Sequence, residues 1–537
     1  LTEFDPTHEN WFWIKVTDYW GLTMTGNGIT HTPDSSPSSV NIQSVTYDKT
    51  EMVVTWSESG DDDFVSYEVL YSSSESGDKT SLSTITDKST TSYVLTEFDP
   101  THENWFWIKV TDYWGLSSLG SGKTSEVNAS PQASEINPIK FTNNSFLIRW
   151  EQNFDSDFYS YTLYQSSSED MSDKTDIFAT TDQNDIDHTV TGVQNDERRY
   201  YQLLVKDTWG SETTSSVVAG SSYLKIAFNS TRDGDPEIYI MDSDGQLVKK
   251  LTNNDNHDYS PVFSPDGSKI LFMRDDYEIW TIDLDDGSET QLASEAKLWN
   301  EPFHPTSGEF LYTQSYDTPT GSSDYWEIYS MNIDGSTQQQ LTYTIRSDIY
   351  PIFSPDGQSI FYVYYDTEDG RSDIWSMSRS GSDKTNLTNK TDYFRNIQPS
   401  PDGSKIICSY RRYNNYDYQI AILDNDGSDL TSLTEDGPNY DPQYSPDGSK
   451  IVFYSYRDSD YEIYLMDSDG SNETNLTNRV SRDDYPEFSP DGSKILFNSE
   501  RDGNGEIYIM DIDGSNLTNL SNNSGNDYNA VFQPVRR

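Results

Sequence analysis

Two acidic loops in the first part of the chain carry side chains that could bind a metal ion. Asp61 and Asp63 lie in one loop, Asp155 and Asp157 lie in the other, and each loop precedes a predicted strand. Carboxylates at alternate positions can converge on a hard cation such as Ca²⁺. The sequence therefore offers a possible calcium site in each loop, which would stiffen the chain. Polar capping of the loops explains the same residues without a metal, and no other cofactor is predicted.

A second set of polar residues recurs in the last part of the chain, at one fixed place in a repeat. Each member lies six residues before a Ser-Pro-Asp-Gly turn or its equivalent. We expect the first strand of each repeat to start there, near a central channel. Carboxylates around one channel mouth focus a negative potential and could hold a cation or a basic peptide end. A solvated rim without a ligand is the alternative. The predicted ligand-binding residues are Asp258, Asp348, Asn439, Asp483 and Asp527, with Leu298 and Phe394 at the two remaining places.

Groups that catalysis needs are sparse. Of the six histidines, only His257 and His304 follow residue 222, and no Gly-x-Ser-x-Gly nucleophile motif occurs. The single Cys408 leaves no partner for an internal disulfide and no Cys-x-x-Cys metal motif. The sequence therefore predicts a protein that is not an enzyme.

Charge and composition limit the partners of the chain. Its 537 residues include 36 Lys and Arg against 90 Asp and Glu, a formal net charge of −54. Such a surface repels phosphate backbones and anionic lipid head groups, so we expect no nucleic-acid partner. No apolar run approaches the roughly 20 residues of a membrane helix, so we expect no direct membrane insertion. Aromatic residues make up 14% of the chain, which favours a folded, β-rich protein.

Repeats in the first part of the chain predict β-sandwich modules. Residues 1–22 recur letter for letter at 95–116, so the period is 94 residues, about the size of one sandwich module. A diverged copy follows, in which Trp150 corresponds to Trp56. The predicted domains are the C-terminal part of an incomplete module at 1–31 and complete modules at 32–126 and 127–221.

These modules resemble the fibronectin type III fold. A Trp lies on the second strand, and an aromatic residue, Tyr201 in one copy, lies near the sixth. Residues 1–31 carry only the last strands of a module, and two strands cannot bury a core alone. We therefore expect a possible self-association, in which a neighbouring chain completes this module by strand addition.

Residues 222–537 repeat a unit that predicts four antiparallel strands. Each unit has a Ser-Pro-Asp-Gly turn or a degraded form of it, then an apolar strand, then a strand such as EIYIMD, of which seven occur. Several strands are apolar on both faces, as in a sheet packed between neighbouring sheets. The end of the chain, 527–534, resembles the strand before the turn, and 224–234 resembles the strand after it. We predict an all-β chain with a seven-bladed β-propeller, closed by a one-plus-three strand clasp.

The propeller repeats are similar to those of the TolB-like, or WD-repeat-like, propeller family. Residues 481–520 contain the turn, an apolar strand, an Arg-Asp-Gly hairpin and a Glu-Ile-Tyr strand in the order of that family. The resemblance implies a binding scaffold, because relatives include periplasmic partner-binding proteins and surface proteins. Relatives that act as metal-dependent lyases carry several channel histidines, which this chain lacks.

Together these features predict a non-enzymatic binding or scaffold protein that is extracellular or on the cell surface, with the periplasm a less favoured location. The sandwich modules would act as spacers, and the propeller would bind a protein or a glycan. Two alternatives remain open at this point. One is a structural subunit of a surface filament or sheath, and the other is a lyase or hydrolase that acts on polysaccharide in the propeller channel.

Overall fold

The computed structural model describes residues 7–299, 301–316, 325–366, 370–388, 392–413, 415–457 and 459–534. Contacts divide the chain into two units, Leu1–Ser222 and Tyr223–Arg537. The described residues form strands and turns without an α-helix, so the prediction of an all-β chain is confirmed for them. A helix of membrane-spanning length and apolarity is likewise absent from this described part.

The first unit opens with a segment of short, exposed strands. These are β1 (Trp11–Phe12), β2 (Lys15–Thr17), β3 (Thr23–Thr25) and β4 (Ile29–Thr30). β1 pairs with β4 and β2 pairs with β3, so the segment forms two separate two-stranded sheets.

Two sandwiches of the same topology follow in the first unit. The strands of the first sandwich are β5 (Ile42–Tyr47), β6 (Met52–Trp56), β7 (Phe64–Ser72), β8 (Thr80–Ile85), β9 (Ser92–Leu95), β10 (Trp105–Asp112), β11 (Ser117–Leu119) and β12 (Lys123–Thr124). The strands of the second are β13 (Lys140–Thr142), β14 (Ser145–Arg149), β15 (Phe158–Ser166), β16 (Thr175–Thr180), β17 (Asp187–Thr191), β18 (Arg198–Asp207), β19 (Glu212–Thr214) and β20 (Val218–Ser221). In the first sandwich, the sheet β5-β6-β9 faces the sheet β11-β10-β7-β8, and β12 also pairs with β10. The second sandwich has the same strand order.

Alternating side chains of the two sheets form the core of each sandwich. Trp56 and Tyr67 are buried in the first, in contact at 5.6 Å between ring centroids, and Trp150 and Tyr161 occupy the same places in the second at 5.7 Å. The Tyr67 hydroxyl accepts a hydrogen bond from the backbone N–H of Ser59 at 2.7 Å. A buried Tyr hydroxyl thus finds a polar partner at the rim of an otherwise apolar core.

The second unit consists of four-stranded antiparallel sheets, which we number 1 to 7. Sheet 1 has β21 (Lys225–Ser230), β22 (Glu237–Asp242), β23 (Lys249–Lys250) and, from the end of the chain, β48 (Asp527–Phe532). Sheet 2 has β24 (Asp258–Phe263), β25 (Lys269–Arg274), β26 (Glu278–Asp283) and β27 (Glu289–Ser294). Sheet 3 has β28 (Ala296–Lys297), β29 (Glu309–Tyr316), β30 (Tyr325–Asn332) and β31 (Gln339–Gln340).

The other four sheets are each continuous in sequence. Sheet 4 has β32 (Ser347–Phe353), β33 (Ser359–Tyr365), β34 (Ser372–Ser378) and β35 (Thr385–Asn386). Sheet 5 has β36 (Tyr393–Pro399), β37 (Lys405–Arg411), β38 (Gln419–Asp424) and β39 (Thr431–Ser432). Sheet 6 has β40 (Asn439–Tyr444), β41 (Lys450–Ser455), β42 (Glu462–Asp467) and β43 (Thr474–Asn475). Sheet 7 has β44 (Asp483–Phe488), β45 (Lys494–Ser499), β46 (Glu506–Asp511) and β47 (Thr518–Asn519).

Apolar clusters join each of these sheets to the next. Phe272 of sheet 2 packs on Ala227 of sheet 1, and the corresponding clusters continue around to sheet 7. Leu496 of sheet 7 then packs on Phe228 of sheet 1. Because the middle strands are apolar on both faces, each sheet is covered on two sides, and the seven sheets follow one another around a common centre.

Candidate functional site

The residues predicted to line a channel rim are buried instead. Asp258, Asp348, Asn439, Asp483 and Asp527 are all 0% exposed, and none of them lines the central cavity described below. The structure corrects their placement, because this position of the first strand faces the polar side chains of its own and the adjoining sheet rather than solvent. Of the two remaining places, Phe394 is buried, and Leu298 lines the cavity.

Four of the five buried residues contact an arginine that the same sheet supplies. Arg274 Nε lies 2.6 Å from Asp258 Oδ1, and its Nη2 reaches Glu289 at 2.8 Å. The other three contacts follow the same plan: Arg501 with Asp483 at 3.0 Å, Arg232 with Asp527 at 3.2 Å, and Arg457 with Asn439 at 2.8 Å. Buried charges require such pairing, so these residues serve the packing of the propeller.

Asp348 of sheet 4 is the exception. Its cross-strand partner is Tyr364, and its Oδ1 atom is buried without a hydrogen-bond partner in the described part of the chain. Thr344 donates to the other oxygen at 3.4 Å. Burial, and then the nearby charge of Glu327, raise the pKa of Asp348 to about 8. Burial also raises the pKa of Glu327. A proton on Asp348 therefore neutralises this buried carboxyl group, as an arginine does in the other sheets.

A central cavity of about 640 Å³ is lined by residues at or near the ends of β24, β32, β36, β40, β44 and β48 and by the segment that follows β28. Its wall includes apolar side chains such as Val262, Ile352 and Val531, together with the polar side chains Gln443 and Glu487. A ligand pocket in proteins has this composition, with apolar walls and a few polar groups that fix orientation. This cavity is therefore the candidate binding site of the second unit.

A bulge repeated from sheet to sheet builds the wall of the cavity. In β24, β32, β36, β40, β44 and β48, the pairing with the neighbouring strand shifts register at the residue two positions after the predicted rim position. That residue has a positive φ in each strand: Ser260 52°, Tyr350 53°, Asn396 50°, Asp441 45°, Tyr485 50° and Asn529 55°. Bulges re-aim side chains, and bulky residues adopt this conformation at a cost. Sequence reasoning missed these residues, although the proline that follows four of them is typical of bulges.

Three carboxyl groups in or beside the cavity have raised pKa values. Desolvation, and secondarily the charge of Glu301, raise the pKa of Glu487 to about 8. Desolvation also raises the pKa of Glu301, although Gln398 donates to it at 2.7 Å. Burial raises the pKa of Asp441, on the wall of the cavity, to about 6. Near neutral pH Glu487 is therefore mostly a neutral acid, which can donate a hydrogen bond as well as accept one.

The acidic loops of the sandwiches divide into two kinds of residue. Asp61 accepts hydrogen bonds from Ser59 Oγ at 2.9 Å and the backbone of Ser38 at 3.3 Å, and so caps its loop. Asp155 does the same, accepting from the backbone of Gln132 at 2.8 Å. Asp63 and Asp157 instead lie near acids at the end of another strand, Asp112 of β10 and Asp207 of β18 respectively. The two residues of each predicted pair, Asp61 with Asp63 and Asp155 with Asp157, are therefore not placed together as ligands of one ion.

The second unit is a β-propeller, and comparison with known families agrees. The family model described as TolB beta propeller domain matches residues 318–439 and 435–536. The chain is 39% identical over 80 residues to the Tol-Pal system protein TolB of Geobacter sulfurreducens, covering 15% of this chain and 18% of that protein. It is 32% identical over 78 residues to the protein TolB homolog of Chlorobium chlorochromatii, covering 13% and 18%. The resemblance to TolB-like propellers is thereby confirmed, while the chain spans less than a fifth of these relatives.

Solved structures with a similar fold include the TolB of Acinetobacter baumannii, at 19% identity and a TM-score of 0.39, covering 63% of this chain and 80% of that one. An oligogalacturonate lyase in complex with manganese is similar at 14% identity and a TM-score of 0.45, covering 70% and 97%.

Proposed function

We propose that the chain is a non-enzymatic binding protein of the cell envelope, and that its propeller binds a protein segment or a glycan in the central cavity. The observation that carries the proposal is the cavity itself, with apolar walls, Gln443 and the largely neutral acid Glu487. Neutral hydrogen-bonding groups on an apolar wall suit uncharged polar ligands such as peptide backbone and sugar hydroxyls. The similarity to TolB-like propellers supports a binding role.

The finer parts of this proposal concern architecture and location. Seven sheets form the blades of one ring, which β48 closes by pairing with the strands of sheet 1. The two sandwiches act as fibronectin type III-like spacers. The acidic composition supports an extracellular or cell-surface position. The proposal also includes the periplasm, because a similar protein is named as part of the Tol-Pal system. Self-association through residues 1–31 stays a prediction.

Blocking the cavity tests the binding role. Val262→Trp fills the cavity wall, and Val480→Trp, at a residue that is 97% exposed, is the matched control. The full-length variants and the wild type are applied to an array of immobilised peptides and glycans. We expect the wild type and the control to bind the same probes and Val262→Trp to lose them at least tenfold. Probes retained equally by Val262→Trp would contradict a site in the cavity.

A second candidate function rests on Glu301 and Glu487. They line one cavity; desolvation raises the pKa of both, and the charge of Glu301 also raises the pKa of Glu487. A carboxylic acid with a raised pKa beside a second carboxyl group is the arrangement that hydrolysis of a glycosidic bond uses. If the cavity is catalytic, the wild type releases new chain ends from a panel of neutral and acidic polysaccharides and Glu487→Gln does not. That result would replace the binding function with a hydrolase or lyase function.

A further inference from the structure

Three carboxylates of the first sandwich converge at one place, although they are far apart in sequence. Asp34 lies in the segment before β5, Asp63 directly precedes β7, and Asp112 is the last residue of β10. One carboxylate oxygen of each lies within 4.8 Å of the others. Oxygens bound to one calcium ion at about 2.3–2.6 Å from it are separated by no more than roughly twice that distance. The spacing therefore fits ligands of one common ion.

Backbone contacts hold Asp63, just before β7, and Asp112, at the end of β10, next to each other. The pairing of these strands shifts at Asp112, where the backbone N–H of Tyr113 donates to the carbonyl oxygen of Asp63 at 2.9 Å. Asp112 Oδ1 accepts hydrogen bonds from the backbone N–H groups of Trp114 and Leu116, both at 2.9 Å. The carboxylate of Asp112 is thus held rigidly, with one oxygen used by the turn.

The second oxygen of Asp112 has no partner. Asp112 is 2% exposed, and its Oδ2 atom is buried without a hydrogen bond in the described part of the chain, as is Oδ2 of Asp34. A buried carboxylate oxygen without a donor is costly, because the water it loses is not replaced. The described part of the chain thus brings no hydrogen-bond donor to these two oxygens.

We propose that Asp34, Asp63 and Asp112 bind a calcium ion. All three ligands are hard oxygens, and no thiol or imidazole takes part, which favours Ca²⁺ over transition metals. Water completes the coordination, since Asp34 and Asp63 are only partly buried. The ion would tie the segment that enters the sandwich to the β10 end of its sheet. This site goes beyond the binding function proposed above and does not depend on it.

The second sandwich shows the same place filled by the chain itself. Asp157 and Asp207 correspond to Asp63 and Asp112, and Asp207 Oδ1 again accepts two backbone hydrogen bonds, from Trp209 and Ser211. Asn128, however, replaces the third carboxylate, and its Nδ2 donates to Asp207 Oδ2 at 2.8 Å. This amide thus donates to the oxygen that has no partner in the first sandwich, so we assign calcium to the first sandwich alone.

Calcium titration of the full-length protein tests the assignment. After removal of metal with a chelator, we measure Ca²⁺ binding by calorimetry and thermal unfolding of the sandwich transition. The expected dissociation constant is about 10⁻⁴–10⁻³ M, as in extracellular calcium modules. Asp34→Asn reproduces the Asn128 arrangement, so we expect the sandwich to fold without calcium, to bind it at least tenfold more weakly, and to lose the calcium-dependent rise in Tm.

Two further variants make the test specific. Asp61→Asn, in the same loop but outside the site, is expected to bind calcium as the wild type does. Asp112→Asn is expected to abolish calcium binding. If the Asp112→Asn variant fails to fold, Asp34→Asn still tests the site. Wild-type calcium binding in Asp34→Asn, or no binding in the wild type at millimolar calcium, would overturn the proposal. Equal or tighter binding of Mg²⁺ at the same residues would overturn the choice of calcium.

Discussion

The propeller and the first sandwich both bury carboxyl groups, but they neutralise them differently. In the propeller, Asp258 lies against Arg274 of the neighbouring strand, and the same solution recurs in other sheets. In the first sandwich, Asp34, Asp63 and Asp112 converge without a lysine or arginine among them. A buried acid therefore has a structural role where the chain itself supplies the cation that pairs with it. Where the chain does not, the acid is open to an external ion or a proton.

Asp348 lies between these two cases. It occupies the place of Asp258 in its own sheet, yet Tyr364 stands across from it, and its pKa is raised to about 8. At this one repeated position, the propeller therefore has a carboxylate paired with an arginine in some sheets and a protonated, neutral carboxylic acid in sheet 4.

The largest expected effect is the loss of an arginine from a buried pair. Arg274→Met leaves Asp258 and part of Glu289 without their cation, so we expect a loss of about 3–5 kcal/mol in the unfolding free energy of the propeller. The control is Lys405→Met in the exposed pair with Asp424, with an expected loss below about 1 kcal/mol. Urea unfolding of the full chain measures both. Equal losses in the two variants would show that the buried pair has no special role.

The pH dependence of stability sharpens the comparison between Asp348 and Asp258. The folded pKa of Asp348 is about 8 against an ordinary value of 3.8, so the folded state holds a proton that the unfolded state releases. Stability from this group is complete below pH 3.8 and is lost as the pH rises through about 8, by about 1.4 kcal/mol per unit in between. We expect unfolding at pH 5, 6 and 7, measured in chelator, to show this slope as the difference between the wild type and Asp348→Asn.

Asp348→Asn removes the titrating proton and keeps the shape of the neutral acid. We therefore expect its slope to be smaller by about one proton, and its stability at pH 7 to be higher than that of the wild type, which must take up a proton on Asp348 to fold. Asp258→Asn, which takes the partner from Arg274, is expected to lose stability at every pH tested and to keep the slope. An unchanged slope in Asp348→Asn would mean that another group carries the proton.

The smallest effect is expected from making the second sandwich resemble the first. Asn128→Asp removes the hydrogen bond to Asp207 and adds a third negative charge, so we expect a loss of about 1 kcal/mol in chelator. Calcium should restore most of it. Asn143→Asp, in an exposed turn of the same sandwich, is the control and should respond to neither change. Calorimetry with and without calcium measures both changes. A loss of stability that calcium does not restore would show that the two sandwiches differ at this place in more than residue 128.

Much of the fold was predictable from repeated residues, while the sites were less so. The recurring turn and the apolar strands indicate a TolB-like propeller, because strand patterns and turn residues are local properties. The spacing of Asp258 and its equivalents identified residues with a shared role but assigned the wrong surroundings. A bulge two residues later re-aims the strand, so Glu487 and Gln443 line the cavity instead. Asp34 and Asp112 are brought together only by the packing of distant segments.

The two copies of one 22-residue segment show this division most directly. The sequence by itself determined that residues 1–22 and 95–116 are the same segment with the same alternation of apolar side chains. In the second copy, Phe106 and Ile108 are 0% exposed on β10, which pairs along its length with β7. In the first copy, the identical Phe12 and Ile14 are 36% and 77% exposed. An alternating pattern states which face of a strand is apolar, but only partner strands and a facing sheet can remove that face from water.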